Sequence, residues 1–331
     1  MRIACIAQVR DECDIIELFV KINCRVFDHM YIINNNSVDE TQTILDKLKA
    51  AGYPITTTFD GDNTYNQDGL TTAALRSVNA WGLYDWFMFL DADEFVDETK
   101  EDIIAKLMTV PPHMTPKAMW RSWVPTDINY FEKPNPLYSC FAPLASENHV
   151  TYKAICSKAH APHVKINHGN HAWFGPDGKF VPDADCGVRI NHFPVRSVEQ
   201  ITSKAVLSHY RQFVRASIKM NRNPGELGPV RRFFQLNYIH HELQKSKFQV
   251  TKEMLRTWGV KYNTEMPPSG NDPQIDSAQE GIHFGFEEDV IQWPELARIS
   301  LGARFDKQMD IMYNAMKKME ERLAKAGIRI A

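Results

Sequence analysis

The sequence predicts an α/β protein, a mostly parallel sheet flanked by helices with a mostly helical C-terminal region behind it. Three observations carry this expectation. Through the first hundred residues, short apolar runs alternate with segments of helical period, the pattern of parallel strands joined by crossover helices. The run at 86–90 is solidly apolar and ends abruptly in acid, as a strand covered on both faces does. A break at Asn223-Pro224-Gly225 opens a last third of helical texture. The 331 residues make roughly two domains at about 150 each, so the expected division is 1–215 and 216–331.

Each element has its own reason. Residues 2–9 read as a buried strand, and Ile15, Phe19, Ile22 and Val26 keep helical spacing from Asp11 onward. A second strand at 29–33 stops at the polar run Asn34-Asn35-Asn36-Ser37. Ser37 and Glu40 have the spacing of a capping box, which predicts a helix start there, with Ile44, Leu45 and Leu48 on its apolar face and a stop before Gly52 and Pro54. The β-branched stretch 54–59 predicts a third strand, closed by the turn Asp60-Gly61-Asp62. A helix over about 69–84 leads to the central strand, whose carboxyl end carries Asp91, Asp93 and Glu94, the end where open α/β sheets hold their ligands. Beyond Val110 the chain turns proline-, aromatic- and histidine-rich, with strands expected at 118–124 and 187–192 and a helix at 197–215.

Composition excludes several classes. Lys plus Arg number 38 against 41 for Asp plus Glu, a net charge of −3 that lacks the basic footprint of a nucleic-acid binder. No apolar run reaches the roughly 18–20 residues of a membrane span, and the start shows no signal-peptide pattern, so a cytoplasmic location is expected. Six scattered cysteines without a C-x-x-C pair read as reduced core thiols. Neither G-x-G-x-x-G nor G-x-x-x-x-G-K occurs, which removes dehydrogenase and P-loop kinase readings.

The chemistry starts at Asp91 and Asp93. An Asp-x-Asp after a buried strand brings two carboxylates within reach of one hard cation such as Mg²⁺ or Mn²⁺. An isolated D-x-D is more often a solvated turn, but three acids in four residues at a strand end repel one another unless cations neutralise them. His160 and His163, and His168 and His171, invite a zinc reading, which Pro162 and the absence of H-E-x-x-H weaken.

Four segments in order, Arg10-Asp11-Glu12, Asn35-Asn36-Ser37-Val38-Asp39, Asp91-Ala92-Asp93-Glu94, and His192 with Arg196-Ser197-Val198-Glu199-Gln200 and Lys204, resemble the motifs of GT-A-fold glycosyltransferases. The pattern is similar to glycosyltransferase family 2 relatives that also resemble family 92, and covers roughly residues 1–210. The resemblance implies a GT-A-like sheet and a nucleotide site of Arg10, Glu12, Asn36, Asp39 and Asp91, with Asp39 reading the base. It implies a metal held by Asp91 and Asp93, with His192 first and His171 second as further ligands. It also implies that Asp93, Arg196 and Lys204 stabilise the leaving diphosphate. Taken alone, Asp39 reads as a helix N-terminal acid and Arg196 and Lys204 as a solvated helix face.

The expected activity is transfer of one sugar from a nucleoside diphosphate donor, UDP-linked, to a glycan or glycolipid acceptor in cell-surface polysaccharide or lipopolysaccharide synthesis. The processive base segment and Q-x-x-R-W motif are missing, which leaves the base unplaced: Asp127, Glu147, Asp183 and Asp185 lie in the acceptor-side region, each read first as a surface acid, and a retaining enzyme would need no such base. Two rivals stand beside this reading. A metal-dependent phosphohydrolase would use the Asp-x-Asp and the histidines, although Phe95 occupies the place where a haloacid-dehalogenase motif wants threonine or valine. The other is a non-catalytic nucleotide-sugar-binding protein. A stripe at Phe305, Met309, Met312, Met316, Met319 and Leu323 is expected to pack on the protein's own core, with peripheral membrane contact as the alternative.

Overall fold

Four strands of the first hundred residues, three apolar and one threonine-rich at the edge, form the parallel core that the sequence predicts. In the computed structural model the described residues are 1–61, 67–126, 141–144, 152–198, 200–202, 204 and scattered positions between 239 and 258. The chain runs β1 (Ile3–Val9), α1 (Ile16–Asn23), β2 (His29–Asn35), α2 (Thr41–Ala50), β3 (Ile55–Asp60), α3 (Gln67–Ala80) and β4 (Trp86–Leu90). It continues with β5 (Glu94–Val96), α4 (Lys100–Leu107), β6 (Thr115–Pro125), β7 (Phe141–Pro143), β8 (Tyr152–Ser157), β9 (Lys165–Ile166), β10 (Trp173–Phe174) and β11 (Asp183–His192).

The main sheet has the order β3-β2-β1-β4-β8-β6-β11-β5, with β7 paired to β6. From β3 to β4 every pairing is parallel. Beyond β4 the sheet is mixed: β8 runs antiparallel to β4 and β6, β11 parallel to β6, and β5 antiparallel to β11.

The period of two along each strand sorts the core into two layers. Cys5, Ala7, Met30, Ile32, Met88 and Leu90 face one way and pack with α1, α2 and α4 through Phe19, Ile22, Leu45 and Ile103. Ala4, Ile6, Phe87 and Phe89 face the other way, against Leu75 and Val78 of α3 and Trp173 of β10. With both faces covered, the strands have no solvated face on which to place polar residues, which is why they read as unbroken apolar runs.

Two helix starts differ from expectation. Ile15, Phe19, Ile22 and Val26 are buried as their spacing predicts, but α1 begins only at Ile16. Asp11 adopts a left-handed backbone (φ 55°), and residues 10–15 form a loop closed by bonds from Ile15 and Ile16 N–H to the Glu12 carbonyl. The expected capping box does not form. α2 begins at Thr41 with Glu40 at its N-cap, no side chain capping it there, while the Ser37 hydroxyl accepts the Asp11 N–H at 2.9 Å. A tie between two neighbouring strand ends outcompetes the local cap.

Among the described residues no helix is long and apolar enough to cross a membrane. Val195 and Ile201 pack with Ile239, Leu243, Leu255 and Trp258 in a small third cluster. Most of the 216–331 region, including the methionine stripe at 305–323, lies outside the described residues, as do the candidate bases Asp127 and Glu147.

Candidate functional site

The carboxyl ends of β1, β2 and β4 carry the acids, and the mixed half of the sheet brings cations to meet them. Continuing the antiparallel register of β4 and β8 by two residues places Lys153 opposite Leu90, at the edge of the acidic turn. The same parity puts Lys153, Trp120, His192 and Glu94 on one face of the sheet, since Ala118 pairs with Lys153, Ile190 with Trp120, and His192 with Glu94. That face is apolar core elsewhere, so the polar group is sealed along one side.

Lys153 is buried and its ammonium lies 2.6 Å from Asp91 and 3.2 Å from Glu94. Burial alone would lower its pKa, but Asp91 and Glu94 outweigh that and raise it. Glu94 also accepts the Asp91 N–H at 2.9 Å. Burial raises the Glu94 carboxyl well above the usual range, with Asp91 and Asp93 adding to the rise and Lys153 opposing it.

Arg196 is the second anchor. It is fully buried and spends its fork on Asp14 (2.7 and 3.0 Å), Glu12 (2.6 Å), Asp93 (3.5 Å) and the Phe193 carbonyl (3.2 Å). A planar guanidinium serves three carboxylates in a way that a lysine could not. Burial raises the Glu12 carboxyl to about 7, against the pull of Arg196 and Lys204. Asp93 goes the other way: burial pushes it up, but Lys204 at 3.6 Å, His192, Arg196 and Lys153 prevail and hold it at about 2.

Asp93, Glu94 and His192 bring one ligand atom each within 4.8 Å of one another, the single such group among the described residues. His192 Nε2 stands 3.8 Å from Asp93 Oδ1, and its ring stacks on Trp120 with centroids 4.1 Å apart. Burial, helped by Lys153 and Lys204, lowers His192 to about 4, so the imidazole is neutral and able to ligate at neutral pH. His192 Nδ1 is buried without a hydrogen-bond partner. With every carboxyl ionised, Glu12, Asp14, Asp91, Asp93 and Glu94 against Arg196, Lys153 and Lys204 leave a formal charge of −2, and the raised Glu12 and Glu94 carboxyls reflect the cost of holding that excess without a further cation. Two carboxylates, one neutral imidazole and that charge fit a hard divalent cation.

The other predicted residues fall around this core. Asp91 is held by Lys153 and by Gln67 at 3.4 Å, apart from the three-residue ligand group. His171 packs edge-on against Trp120 at 5.6 Å, and its Nδ1 meets the Tyr152 carbonyl at 2.6 Å. Gly169 makes room for it, since a Cβ there would stand 2.5 Å from His171 Nε2. Asp39 accepts the Cys13 N–H (3.1 Å) and the Thr41 N–H (3.0 Å), tying the first loop to the start of α2. Asn36, the residue after β2, is left-handed (φ 55°), and the Arg10 guanidinium lies 3.7 Å from Asp11.

Asp183 and Asp185 do not belong to the site. They pair with Lys117 and Arg189 at the far end of β11, and nine residues at about 3.3 Å per residue set Asp183 roughly 30 Å from His192. The His160 ring bonds Ser157 instead of joining His163 in a metal group.

Sequence reasoning missed Lys153, Asp14 and Trp120, and named Glu94 without a role. One signal was present: Lys153 interrupts the otherwise largely apolar run from Tyr152 to Cys156, and a lysine inside a strand of that kind needs a buried acid.

Fold and site define an α/β protein with a charged cluster where its parallel strands end. No protein-family model and no curated protein sequence matches the chain. In fold it is similar to S. aureus TarS, at 13% identity and a TM-score of 0.36, covering 73% of this chain and 43% of that one, so it spans under half the TarS length. It is also similar to TarS 1–349 in complex with UDP, at 12% identity, 86% and 100% coverage and a TM-score of 0.36. A third is the mannosyltransferase PcManGT from Pyrobaculum calidifontis in complex with GDP-Man and Mn²⁺, at 12% identity, 65% and 64% coverage and a TM-score of 0.33.

Proposed function

We propose that this chain is a glycosyltransferase that moves one sugar from a nucleoside diphosphate donor, UDP-linked by the resemblance of its motifs, to a glycan or glycolipid acceptor. The observation that carries the reading is the buried Asp93, Glu94 and His192 group at the carboxyl end of the parallel core, ringed by three cations. Mn²⁺ or Mg²⁺ would be held by Asp93, Glu94 and His192, with Asp91 beside them and His171 behind Trp120. A divalent ion there supplies Lewis-acid neutralisation of the charge that develops on the departing diphosphate.

The chain's own residues divide the remaining work. Arg196 is saturated by three carboxylates and a carbonyl, so it acts as a positioning residue that holds Asp93 and Glu12 in place. Lys204, whose side chain keeps 27% exposure, is the cation able to reach a diphosphate. Lys153 holds Asp91 and Glu94. Asp39, Asn36, Arg10 and Glu12 line the loops where the nucleotide base and ribose would lie, and Asp11 cross-bonds those loops.

The test is a thermal-shift and calorimetric screen of nucleoside diphosphates with and without Mn²⁺, together with slow donor hydrolysis. Mn²⁺-dependent stabilisation by one nucleoside diphosphate and release of free sugar from its donor are expected. Binding of no nucleotide, or brisk hydrolysis of p-nitrophenyl phosphate in its place, overturns the reading and favours a phosphohydrolase.

A further inference from the structure

On the α3 side of the sheet lies an open cleft of about 530 Å³, whose lining includes none of the charged cluster. Asp68 of α3, Asn167 and His168 of the loop between β9 and β10, and Phe174 line it. Phe180 is not in the lining itself, but it bridges to Phe174 in antiparallel fashion with ring centroids 4.4 Å apart and planes at 31°, so the two rings make one continuous aromatic surface of which Phe174 faces the cleft. Phe180 is 64% exposed, so the outer part of this shelf is open to a ligand.

Charge narrows what the cleft can hold. Asp68 and Lys165 face each other at 3.6 Å and cancel, unlike the charged cluster, so nothing here concentrates positive charge for a phosphate. An apolar shelf flanked by a carboxylate and a carboxamide suits a neutral, hydroxyl-rich ring. The C–H face of a pyranose packs on phenyl carbon, and its hydroxyls donate to Asp68 and accept from Asn167.

The cleft is also mechanically joined to the site. Asp68 follows Gln67, whose side-chain Nε2 donates to Asp91 and whose Oε1 accepts the Gly169 N–H at 3.0 Å. Asn167 Oδ1 accepts the N–H groups of His171 (2.7 Å) and Ala172 (2.8 Å), so one loop both walls the cleft and seats His171.

We propose that this cleft is a subsite for a neutral pyranose unit of the acceptor glycan, with Phe174 and Phe180 as the stacking shelf and Asp68 and Asn167 as its hydroxyl partners. The inference rests on the transferase reading, and its test separates the two. Saturation-transfer NMR on the full chain, with methyl glycosides of glucose, galactose, mannose and N-acetylglucosamine at millimolar concentration, reads the cleft. The thermal shift by nucleoside diphosphate and Mn²⁺ reads the donor site. At least one glycoside is expected to bind, to weaken about five- to tenfold in Phe180→Ala and in Asp68→Asn, and to be retained in Phe180→Trp. The donor-site shift stays unchanged in both Phe180 variants. Because Phe180 is exposed, its replacement leaves the melting temperature unaltered, so loss of binding is not loss of fold. Absence of any glycoside signal, equal binding by the variants, or displacement by inorganic phosphate overturns the subsite. If glycosides bind and the variants weaken them while no nucleotide binds, the subsite stands as a glycan site and the transferase reading falls.

Discussion

The two halves of the sheet contribute opposite charges to one site by different means. In the parallel half, β1 and β4 each end in a short loop that delivers acids directly, Glu12 and Asp14 from one, Asp91 and Asp93 from the other. In the mixed half, cations arrive through pairing: Lys153 on β8 meets Asp91 across 62 residues of sequence, and Arg196, just past β11, meets Glu12 across 184. The acidic half is therefore a local property of loops, and the basic half exists only once the sheet has closed. β5 joins the two, because Glu94 follows the acidic turn and pairs with His192.

The largest expected effect comes from cutting the long-range half. Arg196→Met leaves Asp14, Glu12 and Asp93 without their shared partner, and loss of one member of a buried charged network costs about 3–5 kcal/mol. Urea unfolding should show this as a lowered midpoint at unchanged slope, and a midpoint equal to wild type would mean that the acids hold the loop by themselves.

Next is the acid limb of stability in the metal-free protein. With His192 lowered to about 4, the folded state refuses a proton that the unfolded state accepts near 6.5, so stability is complete above pH 6.5 and falls as pH drops toward 4. The full difference is roughly 3 kcal/mol. His192→Gln should flatten that limb in scanning calorimetry, and an identical limb would place the titration elsewhere.

Gly169→Ala tests the seat of His171. A left-handed φ of 83° and a Cβ 2.5 Å from the imidazole predict a loss of about 1–3 kcal/mol. An unchanged melting temperature would show that His171 is free to swing away.

The finest distinction separates Glu94 from Asp91. Glu94→Gln should weaken Mn²⁺ binding about tenfold, roughly 1.4 kcal/mol, and Asp91→Asn less. The reverse order by calorimetry would make Asp91 the stronger ligand of the two.

The same contrast explains how much could be read from the residues alone. Apolar runs bounded by polar turns gave away β1, β2 and β4, because strands buried on both faces cannot hide their composition. Asp91 and Asp93 stood out because they share one short loop at the end of an apolar strand, whereas Glu12 and Asp39 were named only through the resemblance of their motifs. Lys153 and Asp14 did not stand out, since their meaning depends on which strand lies beside which, and strand order is a property of the closed sheet. Ser37 and Glu40 misled for the same reason. Their spacing matches a local cap, yet a neighbouring strand end offered the hydroxyl a better donor.

Lys153 has a practical consequence. Its ammonium is enclosed by two carboxylates and an indole, with its side chain 1% exposed, so amine-directed reagents such as acetic anhydride will modify it only when β8 and the acidic turn separate. The labelling rate of this one lysine, followed by mass spectrometry against the exposed Lys179, would report how often the two halves of the sheet part company.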